Sequence, residues 1–398
     1  MSRQKVVIRS DVLDIARFAK MIPVRKSMIK KAPNLPLPKS YAVNRTADLL
    51  HPREQRLRVK QIIEHGADTK SFVLESAENR PLAYFRAGQY LSVNLRIGNA
   101  VLTRPYSIAS SPSRALRGEY VITVKRVESG FASGFILDTW EEGAEVSVSA
   151  PEGCFYYEPL RDAKTIVGIA GGSGITPFLS LANAINEQTE DAQLILLYGC
   201  RNENEILFKE ELDTLAAENE KIKVVYVLSD SKKKKEGLEK GFIDRKLIKK
   251  YAPEKFSIFI CGPKAMYDFA REEIKKLGIE KKYVRFELFG AANDASELKG
   301  FPKDFAEREF NCTVKVRGEE KGKIPCRAQE SVLVALERAG ISVPSHCRSG
   351  ECGFCRSKLL SGEVFIPEET DGRRIADAKF GYIHPCCSYP LSDIEIHV

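Results

Sequence analysis

The stretch CRSGECGFC (residues 347–355) holds three cysteine thiols close together in the chain, and Cys386 supplies another thiol after a long gap. Gly350 and Gly353 lie between the clustered thiols. Because glycine has no Cβ, backbone N–H groups there can approach a group held by the sulfurs without steric hindrance. The stretch therefore predicts a loop that wraps a metal centre.

Two kinds of metal centre fit four such residues. The pattern C-x4-C-x2-C with a distant fourth cysteine is the spacing of a plant-type [2Fe–2S] site. A structural zinc site, with His346 as an extra ligand, is the alternative, but zinc ligands usually come as two short pairs. The spacing favours the cluster, and the predicted ligands are Cys347, Cys352, Cys355 and Cys386. The adjacent Cys387 is an alternative fourth ligand, although the pattern before Ser388 favours Cys386.

Composition places the chain among multidomain globular proteins. It has 398 residues, 43% hydrophobic and 29% charged, which suggests two to four domains. No apolar run approaches the ~18 residues of a membrane span, and no secretory leader follows Met1. The ten cysteines are scattered rather than arranged as a disulfide scaffold, so we expect a cytoplasmic protein.

The net charge of +8 is unevenly distributed, because residues 1–60 contain fifteen Lys or Arg against four Asp or Glu. Such a basic leader can be a solvated arm, or can dock an acidic partner, an anionic membrane surface or nucleic acid. We expect no nucleic-acid partner, and keep peripheral membrane contact through this arm as a hypothesis.

Hydrophobic patterning predicts four segments. Residues 1–54 form a basic helical extension, with helices over 11–22, where Asp11 is the N-cap, and 44–50, separated by a proline-containing linker. Residues 55–160 show short alternating runs typical of an antiparallel β-barrel. Residues 161–292 alternate apolar strands with helices, as in an α/β parallel sheet. After a polar linker, residues 305–398 combine a strand near 310–316 with a helix ending at Gly340, an α+β pattern.

Four further motifs carry chemistry. Arg104-Pro105-Tyr106-Ser107 offers a cation for a pyrophosphate, a ring to stack on a flavin and a hydroxyl. The segment GIAGGSGITP (168–177) follows a strand and leads into a helix with an early proline, which suits close approach of a dinucleotide. Cys261-Gly262-Pro263 ends a later strand, where ligands bind in open α/β sheets. Gly130–Ser133 precedes a helix and suits a phosphate.

In this order the motifs resemble those of the ferredoxin–NADP+ reductase superfamily, and with the C-terminal cysteines they resemble its single-chain reductases of oxygenases, desaturases and the hybrid cluster protein. The resemblance implies an FAD-binding β-barrel, an NAD-binding α/β domain and a β-grasp ferredoxin domain. It implies that NADH passes electrons through FAD and the [2Fe–2S] cluster, singly, to an external protein acceptor. A non-catalytic relay or redox-sensing subunit is the alternative, but such a subunit needs no nicotinamide pocket.

The resemblance also implies individual roles. It implies that Arg104 binds the FAD pyrophosphate, that Tyr106 stacks on the flavin ring and that Ser107 forms a hydrogen bond near the flavin N5. Pro105 belongs to the same flavin-binding signature, and Ser133 would contact a phosphate of FAD. The positions implied for the nicotinamide nucleotide are Gly171, Gly172, Gly174, Thr176, Cys261, Gly262 and Pro263. Glu287 matches an acidic residue at the end of the NAD domain, beside Phe289. Ser107, Cys261 and Glu287 are thus the predicted catalytic residues.

The choice of nicotinamide nucleotide depends on the segment after the strand KVVYVL. NADPH-using relatives tend to supply a serine and an arginine there for the 2′-phosphate. Here Ser229 is followed by Asp230, which would repel that phosphate and accept a hydrogen bond from a ribose hydroxyl. NADH is therefore the predicted donor, with NADPH as the alternative because Lys232–Lys235 lie nearby.

Overall fold

The computed structural model describes residues 12–32, 40–66, 68–79, 81–128, 130–230, 237–287, 290 and 294–398. It comprises two compact units, Met1–Thr46 and Ala47–Val398. The predicted N-cap Asp11, the prolines of the linker, Lys232–Lys235 and Phe289 lie outside the described residues.

The N-terminal part contains two helices, α1 (Val12–Lys31) and α2 (Ala42–Leu50). The predicted helix over 11–22 is longer than expected and continues through Pro23. Proline removes one helical hydrogen bond but does not end a helix when helix-forming residues follow it, as they do here. The side chains of α1 from Leu13 onward are exposed. None of the described helices is long and apolar enough to cross a membrane.

The predicted β-barrel is an antiparallel sheet with strand order β4-β3-β6-β1-β2-β5. Alternating burial along β1 places Leu57 and Val59 in its core, as a sheet with one solvated face requires. A bridge between Ile108, just after β4, and Ile122 of β5 joins the two edges, so the sheet curls and closes. The strands are β1 (Gln55–Glu64), β2 (Thr69–Ser76), β3 (Tyr90–Ile97), β4 (Ala100–Ser107), β5 (Glu119–Lys125) and β6 (Glu145–Val148), with α3 (Pro112–Leu116) and α4 (Phe131–Thr139) between them.

The second sheet is parallel, with order β10-β9-β8-β7-β11-β12. Its central strands β7 and β11 are buried throughout, because helices cover both faces. The strand order reverses between β7 and β11, and this opens a crevice at their carboxyl ends. The strands are β7 (Thr165–Gly171), β8 (Gln193–Cys200), β9 (Ile222–Leu228), β10 (Leu238–Lys240), β11 (Ser257–Cys261) and β12 (Val284–Glu287), and the helices α5 (Thr176–Asn186), α6 (Lys209–Glu218), α7 (Arg245–Tyr251) and α8 (Lys264–Leu277).

The C-terminal sheet has order β14-β13-β19-β15-β17, with only β13 and β19 parallel, and α9 packs on it, as in a β-grasp fold. Ser331 caps α9 by accepting from the Val334 N–H at 3.4 Å, and Gly340 beyond its end has φ +73°, as predicted for a helix end. The elements are β13 (Glu309–Val316), β14 (Glu319–Arg327), α9 (Val332–Arg338), β15 (Ser357–Ser361), β16 (Val364–Phe365), α10 (Ile375–Lys379), β17 (Tyr382–Ile383), β18 (Tyr389–Pro390) and β19 (Ile394–His397).

Candidate active site and metal centre

The loop 347–355 brings the predicted ligands together as two thiol pairs. The sulfurs of Cys347 and Cys352 are 3.2 Å apart, and the Cys355 thiol lies within hydrogen-bond reach of Cys386. Backbone N–H groups point at these sulfurs, from Ser349 and Cys352 to Cys347 Sγ at 3.5 and 3.4 Å. Such N–H donors stabilise thiolates that hold a cluster.

Cys387 has a different environment from its neighbour Cys386. Its sulfur lies 3.5 Å from both the Thr370 and the His384 carbonyl oxygens. A Cβ at Gly350, whose φ is +83°, would lie 2.8 Å from this sulfur. The thiol of Cys387 therefore contacts backbone carbonyl groups, whereas that of Cys386 lies between the thiols of Cys355 and Cys387.

The cysteine side chains of this region lie as two pairs. Among the described residues, no three His, Cys, Asp or Glu side chains converge as they would around one metal ion. His346, the extra ligand in the zinc alternative, directs its Nδ1 to Glu152 and to Ser92 Oγ at 3.0 Å. Two thiol pairs match a [2Fe–2S] cluster, in which each iron takes two protein ligands.

The RPYS motif occupies the last four positions of β4, beside β3. Ser107 is buried and lies opposite Tyr90 in the strand pair. Burial raises the pKa of the neighbouring Tyr106 phenol to about 12, so this ring stays neutral. The guanidinium of Arg104 donates to the Thr103 carbonyl at 2.9 Å and to Glu337 Oε2 at 3.3 Å.

Ser133 lies in the first turn of α4, after the N-cap Gly130. Its hydroxyl accepts from the Val127 N–H at 3.0 Å. The Ser133 side chain thus stabilises the turn that precedes α4. The groups that the N-terminus of α4 can donate to a phosphate are therefore backbone N–H groups.

The glycine-rich segment forms the floor of the crevice between β7 and β11. Gly171 ends β7, a short 3₁₀ turn (Gly172–Ile175) follows, and α5 begins at Thr176 with Pro177 in its first turn. A Cβ on Gly174 would collide with the Cys261 carbonyl oxygen, and one on Gly171 would lie 2.7 Å from Met266 Sδ. These glycines therefore allow the loop to pack against Cys261-Gly262-Pro263.

Strand register places two predicted catalytic residues side by side, because Cys261 ends β11 opposite Glu287, which ends β12. Both are buried, and burial raises the pKa of each group well above its ordinary value. Within the described part of the chain, Glu287 Oε2 has no hydrogen-bond partner. A buried carboxyl oxygen left unpaired at the mouth of a crevice fits a site built for a ligand.

Tyr267 on α8, which the sequence reasoning did not select, connects these parts. Its hydroxyl accepts from the Gly262 N–H at 3.2 Å and donates to the Glu287 carbonyl. No motif pointed to this residue, since its role depends on how α8 packs on β11 and β12.

A cavity of about 400 Å³ extends from the glycine-rich loop along the carboxyl ends of β8 and β9. Ser229 lines it, whereas Asp230 follows as an exposed residue and accepts from Ser229 Oγ at 3.1 Å. Side chains that the sequence reasoning missed also line this cavity, and they are Lys125, Cys200, Arg201, Glu205, Phe242, Met266 and Phe269. The rings of Phe242 and Phe269 are 5.9 Å apart at its rim.

Three known domain families match successive parts of this chain. The chain matches the models of the oxidoreductase FAD-binding domain over residues 56–157, the oxidoreductase NAD-binding domain over 169–272 and the 2Fe-2S iron-sulfur cluster binding domain over 314–391.

The ferredoxin reductase component of 3-ketosteroid-9-alpha-monooxygenase from Mycolicibacterium smegmatis is 30% identical over 348 residues, which cover 85% of this chain and 94% of that protein. The glycine betaine monooxygenase reductase subunit of Pseudomonas aeruginosa is 27% identical with the same coverage. The solved structure of phthalate dioxygenase reductase superposes with a TM-score of 0.65 at 28% identity, over 87% of this chain and 98% of that one.

Proposed function

Because this chain belongs to the ferredoxin–NADP+ reductase superfamily, among its single-chain members with a C-terminal [2Fe–2S] ferredoxin domain, we propose that its electron acceptor is the oxygenase component of a multicomponent oxygenase. The chain is an NADH-dependent flavin and iron–sulfur oxidoreductase. The observation that supports an oxygenase as acceptor is the similarity, over 94% of their length, to reductase components of monooxygenases.

The residues of this chain divide the work among three sites. When bound, FAD accepts two electrons together from NADH and the cluster carries them one at a time. The side chains align and shield these groups and need not transfer protons. We propose domain bounds of 55–160 for the flavin domain, 161–292 for the nucleotide domain and 305–398 for the ferredoxin domain, after the extension 1–54.

For the flavin domain we propose that Arg104 binds the pyrophosphate, that Tyr106 packs on the isoalloxazine ring and that Ser107 donates a hydrogen bond near N5. The neutral, partly buried phenol of Tyr106 supports a stacking role. The Ser133 turn would present the N-terminal N–H groups of α4 to a phosphate. Pro105, which is buried, keeps this end of β4 rigid.

For the nucleotide domain we propose that NADH lies along the crevice between β7 and β11, with its adenosine part in the 400 Å³ cavity. Asp230 would accept from a ribose hydroxyl. Cys261 and Glu287 would lie beside the nicotinamide, where a buried small side chain leaves room for ring stacking and a carboxyl group fixes the ring's orientation. The proposed contacts along the crevice are Gly171, Gly172, Gly174, Thr176, Ser229, Gly262 and Pro263.

For the metal centre we propose Cys347, Cys352, Cys355 and Cys386 as the ligands. Replacing Cys386 with serine should abolish the visible absorption and circular dichroism of the cluster, because one iron loses a thiolate. Cys387→Ser is the matched control, and it should retain the cluster spectrum. The reverse pattern would assign the fourth ligand to Cys387.

The acceptor is tested with the full chain purified without oxygen. NADH should bleach both the flavin and the cluster absorption, and cytochrome c should be reduced catalytically. Candidate oxygenase components are then supplied singly, and product formation should require NADH, the reductase and one of them. Reduction of a desaturase or another metalloprotein instead would contradict the oxygenase assignment.

We further propose a cytoplasmic location, with peripheral membrane contact through α1. The cysteines are scattered along the chain rather than arranged as a disulfide scaffold, which suits a reducing compartment. Helix α1 exposes Leu13, Phe18 and Met21 together with several lysines and arginines, a combination that binds anionic lipid surfaces. Sedimentation with vesicles containing phosphatidylserine should fall after Lys30→Glu and Lys31→Glu. Equal recovery of the variant and the wild type would refute this contact.

A further inference from the structure

The carboxylate of Glu337 lies at the junction of the flavin and ferredoxin domains. Glu337 belongs to the last turn of α9 and is only 6% exposed. It accepts from the Thr103 N–H at 3.4 Å, from Arg104 Nη1 at 3.3 Å and from Arg348 Nη1. Two of these donors belong to β4 of the flavin domain, and the third immediately follows Cys347 in the cluster loop. One side chain thus connects the proposed FAD-binding strand to the proposed cluster loop.

Arg348 is held in this position by its surroundings. It is 7% exposed and has φ +58°, in the left-handed region that disfavours side chains. A non-glycine residue persists there only where its contacts outweigh the backbone strain. The ion pair with Glu337 is the contact that secures it, and Cys347 is therefore positioned through Arg348 and Glu337.

Further contacts align the same two domains. Ser92 of β3 bonds His346, which directly precedes the cluster loop (residues 347–355), at 3.0 Å. A Cβ on Gly340, just beyond α9, would lie 2.7 Å from the Asn99 carbonyl oxygen in the β3–β4 hairpin. Helix α9 therefore approaches β4 closely enough for Glu337 to reach Arg104.

The charges of this triad do not cancel. The buried guanidinium of Arg348 and the partly buried guanidinium of Arg104 share one carboxylate, which leaves one positive charge on the triad. An unbalanced buried cation is costly, and a second anion beside it would be strongly favoured. In the proposed function, the anion that reaches Arg104 is the flavin pyrophosphate.

We propose that Glu337 is a positioning residue that couples FAD binding to docking of the ferredoxin domain. Its carboxylate holds the cluster loop on β4 through Arg348, and it shares Arg104 with the flavin phosphate. This inference rests on the proposed role of Arg104. On docking, Glu337 competes with the phosphate for Arg104, and Arg348 offsets this competition by taking part of the charge of the same carboxylate.

Two substitutions should separate the two parts of this role. Arg348→Gln leaves Glu337 neutralising Arg104 alone, so the FAD dissociation constant of the apoprotein should rise about tenfold. Glu337→Gln leaves Arg104 free for the phosphate, so the FAD dissociation constant should stay equal or fall. Both variants should loosen the ferredoxin domain. We expect faster amide hydrogen exchange in α9 and the cluster loop, and electron transfer from flavin to cluster slowed at least tenfold.

The matched control is Glu330→Gln, because Glu330 pairs with Arg338 within the ferredoxin domain and makes no ion pair with the described residues of the flavin domain. It should retain wild-type FAD affinity, hydrogen exchange and electron-transfer rate. If Glu337→Gln fails to fold, Arg348→Gln still tests the proposal, since it keeps a neutral Arg104–Glu337 pair.

The outcomes distinguish this inference from the proposed flavin site. Unchanged hydrogen exchange and cluster reduction in Arg348→Gln would refute the docking role. FAD affinity that falls equally in both triad variants would refute the coupling, since a purely structural role predicts equal losses. Wild-type FAD affinity in Arg104→Gln would instead refute the proposed phosphate contact.

Discussion

Replacing Gly174 with alanine should disable the nucleotide site while leaving the flavin and cluster in place. The added Cβ would collide with backbone atoms, because the Cys261 carbonyl and the Gly262 Cα, 2.7 Å away, lie against this position. A flexible side chain could rotate away from such a collision, but these atoms belong to the end of β11. The glycine-rich loop and the Cys261-Gly262-Pro263 segment must therefore move apart.

The size of the effect follows from the geometry. Restoring ordinary contact requires a separation of about 1 Å, and a shift of that size near reacting groups costs on the order of 10²-fold in rate. The overpacking itself costs about 1–3 kcal/mol of folding stability, which leaves the domain folded. We expect kcat/KM for NADH to fall about 10²-fold, with the flavin and cluster absorption unchanged.

The assay is stopped-flow flavin reduction by NADH without oxygen, combined with thermal unfolding. Gly172→Ala is the comparison in the same loop, since a Cβ there meets no atom within 4 Å and the cost is only the strain of φ +52°. That strain is about 1–2 kcal/mol, and it should reduce NADH reactivity far less. Wild-type kinetics in the Gly174→Ala variant would show that close packing of these loops is not required.

Other predictions address the supports of the site. Tyr267→Phe leaves the Gly262 N–H and the Glu287 carbonyl unpaired, so we expect a loss of about 1–3 kcal/mol in denaturant unfolding and a higher KM for NADH. No change in either would contradict the bridging role. Burial lowers the pKa of His65, which bonds Ser71 Oγ at 2.8 Å and packs on Phe208, while Glu211 opposes the shift. The neutral His65 side chain should therefore stabilise the folded state fully above the pKa of about 6.5 that it has in the unfolded chain. This stabilisation should be lost as the pH falls through the lower pKa that His65 has in the folded state. The melting temperature should drop less between pH 7.5 and 5.5 in His65→Gln, and an equal drop would argue against this origin. Asp230→Ala should raise the ratio of kcat/KM for NADPH to that for NADH about tenfold at low salt, because it removes repulsion between Asp230 and the 2′-phosphate. An unchanged ratio would show that the 2′-phosphate of NADPH does not bind beside Asp230.

Much of the architecture could be predicted because each domain contains a short sequence motif that identifies it. The cysteine spacing in 347–355, the RPYS tetrapeptide and the glycine-rich turn after β7 each depend on backbone conformations within a few residues. Helix capping is equally local, and the predicted end of α9 at Gly340 is confirmed. The end of α1 was less predictable, because Pro23 weakens a helix without ending it.

The sequence by itself determined the fold class, the cofactors and the order of the domains, since motifs with fixed spacing encode them. Only the tertiary structure decided which distant residues meet. Strand register placed Cys261 beside Glu287, the packing of α8 made Tyr267 a bridge, and the approach of α9 to β4 brought Glu337 to Arg104 and Arg348. Such contacts depend on strand register and on the docking of domains, and neither can be predicted from a local pattern of residue types.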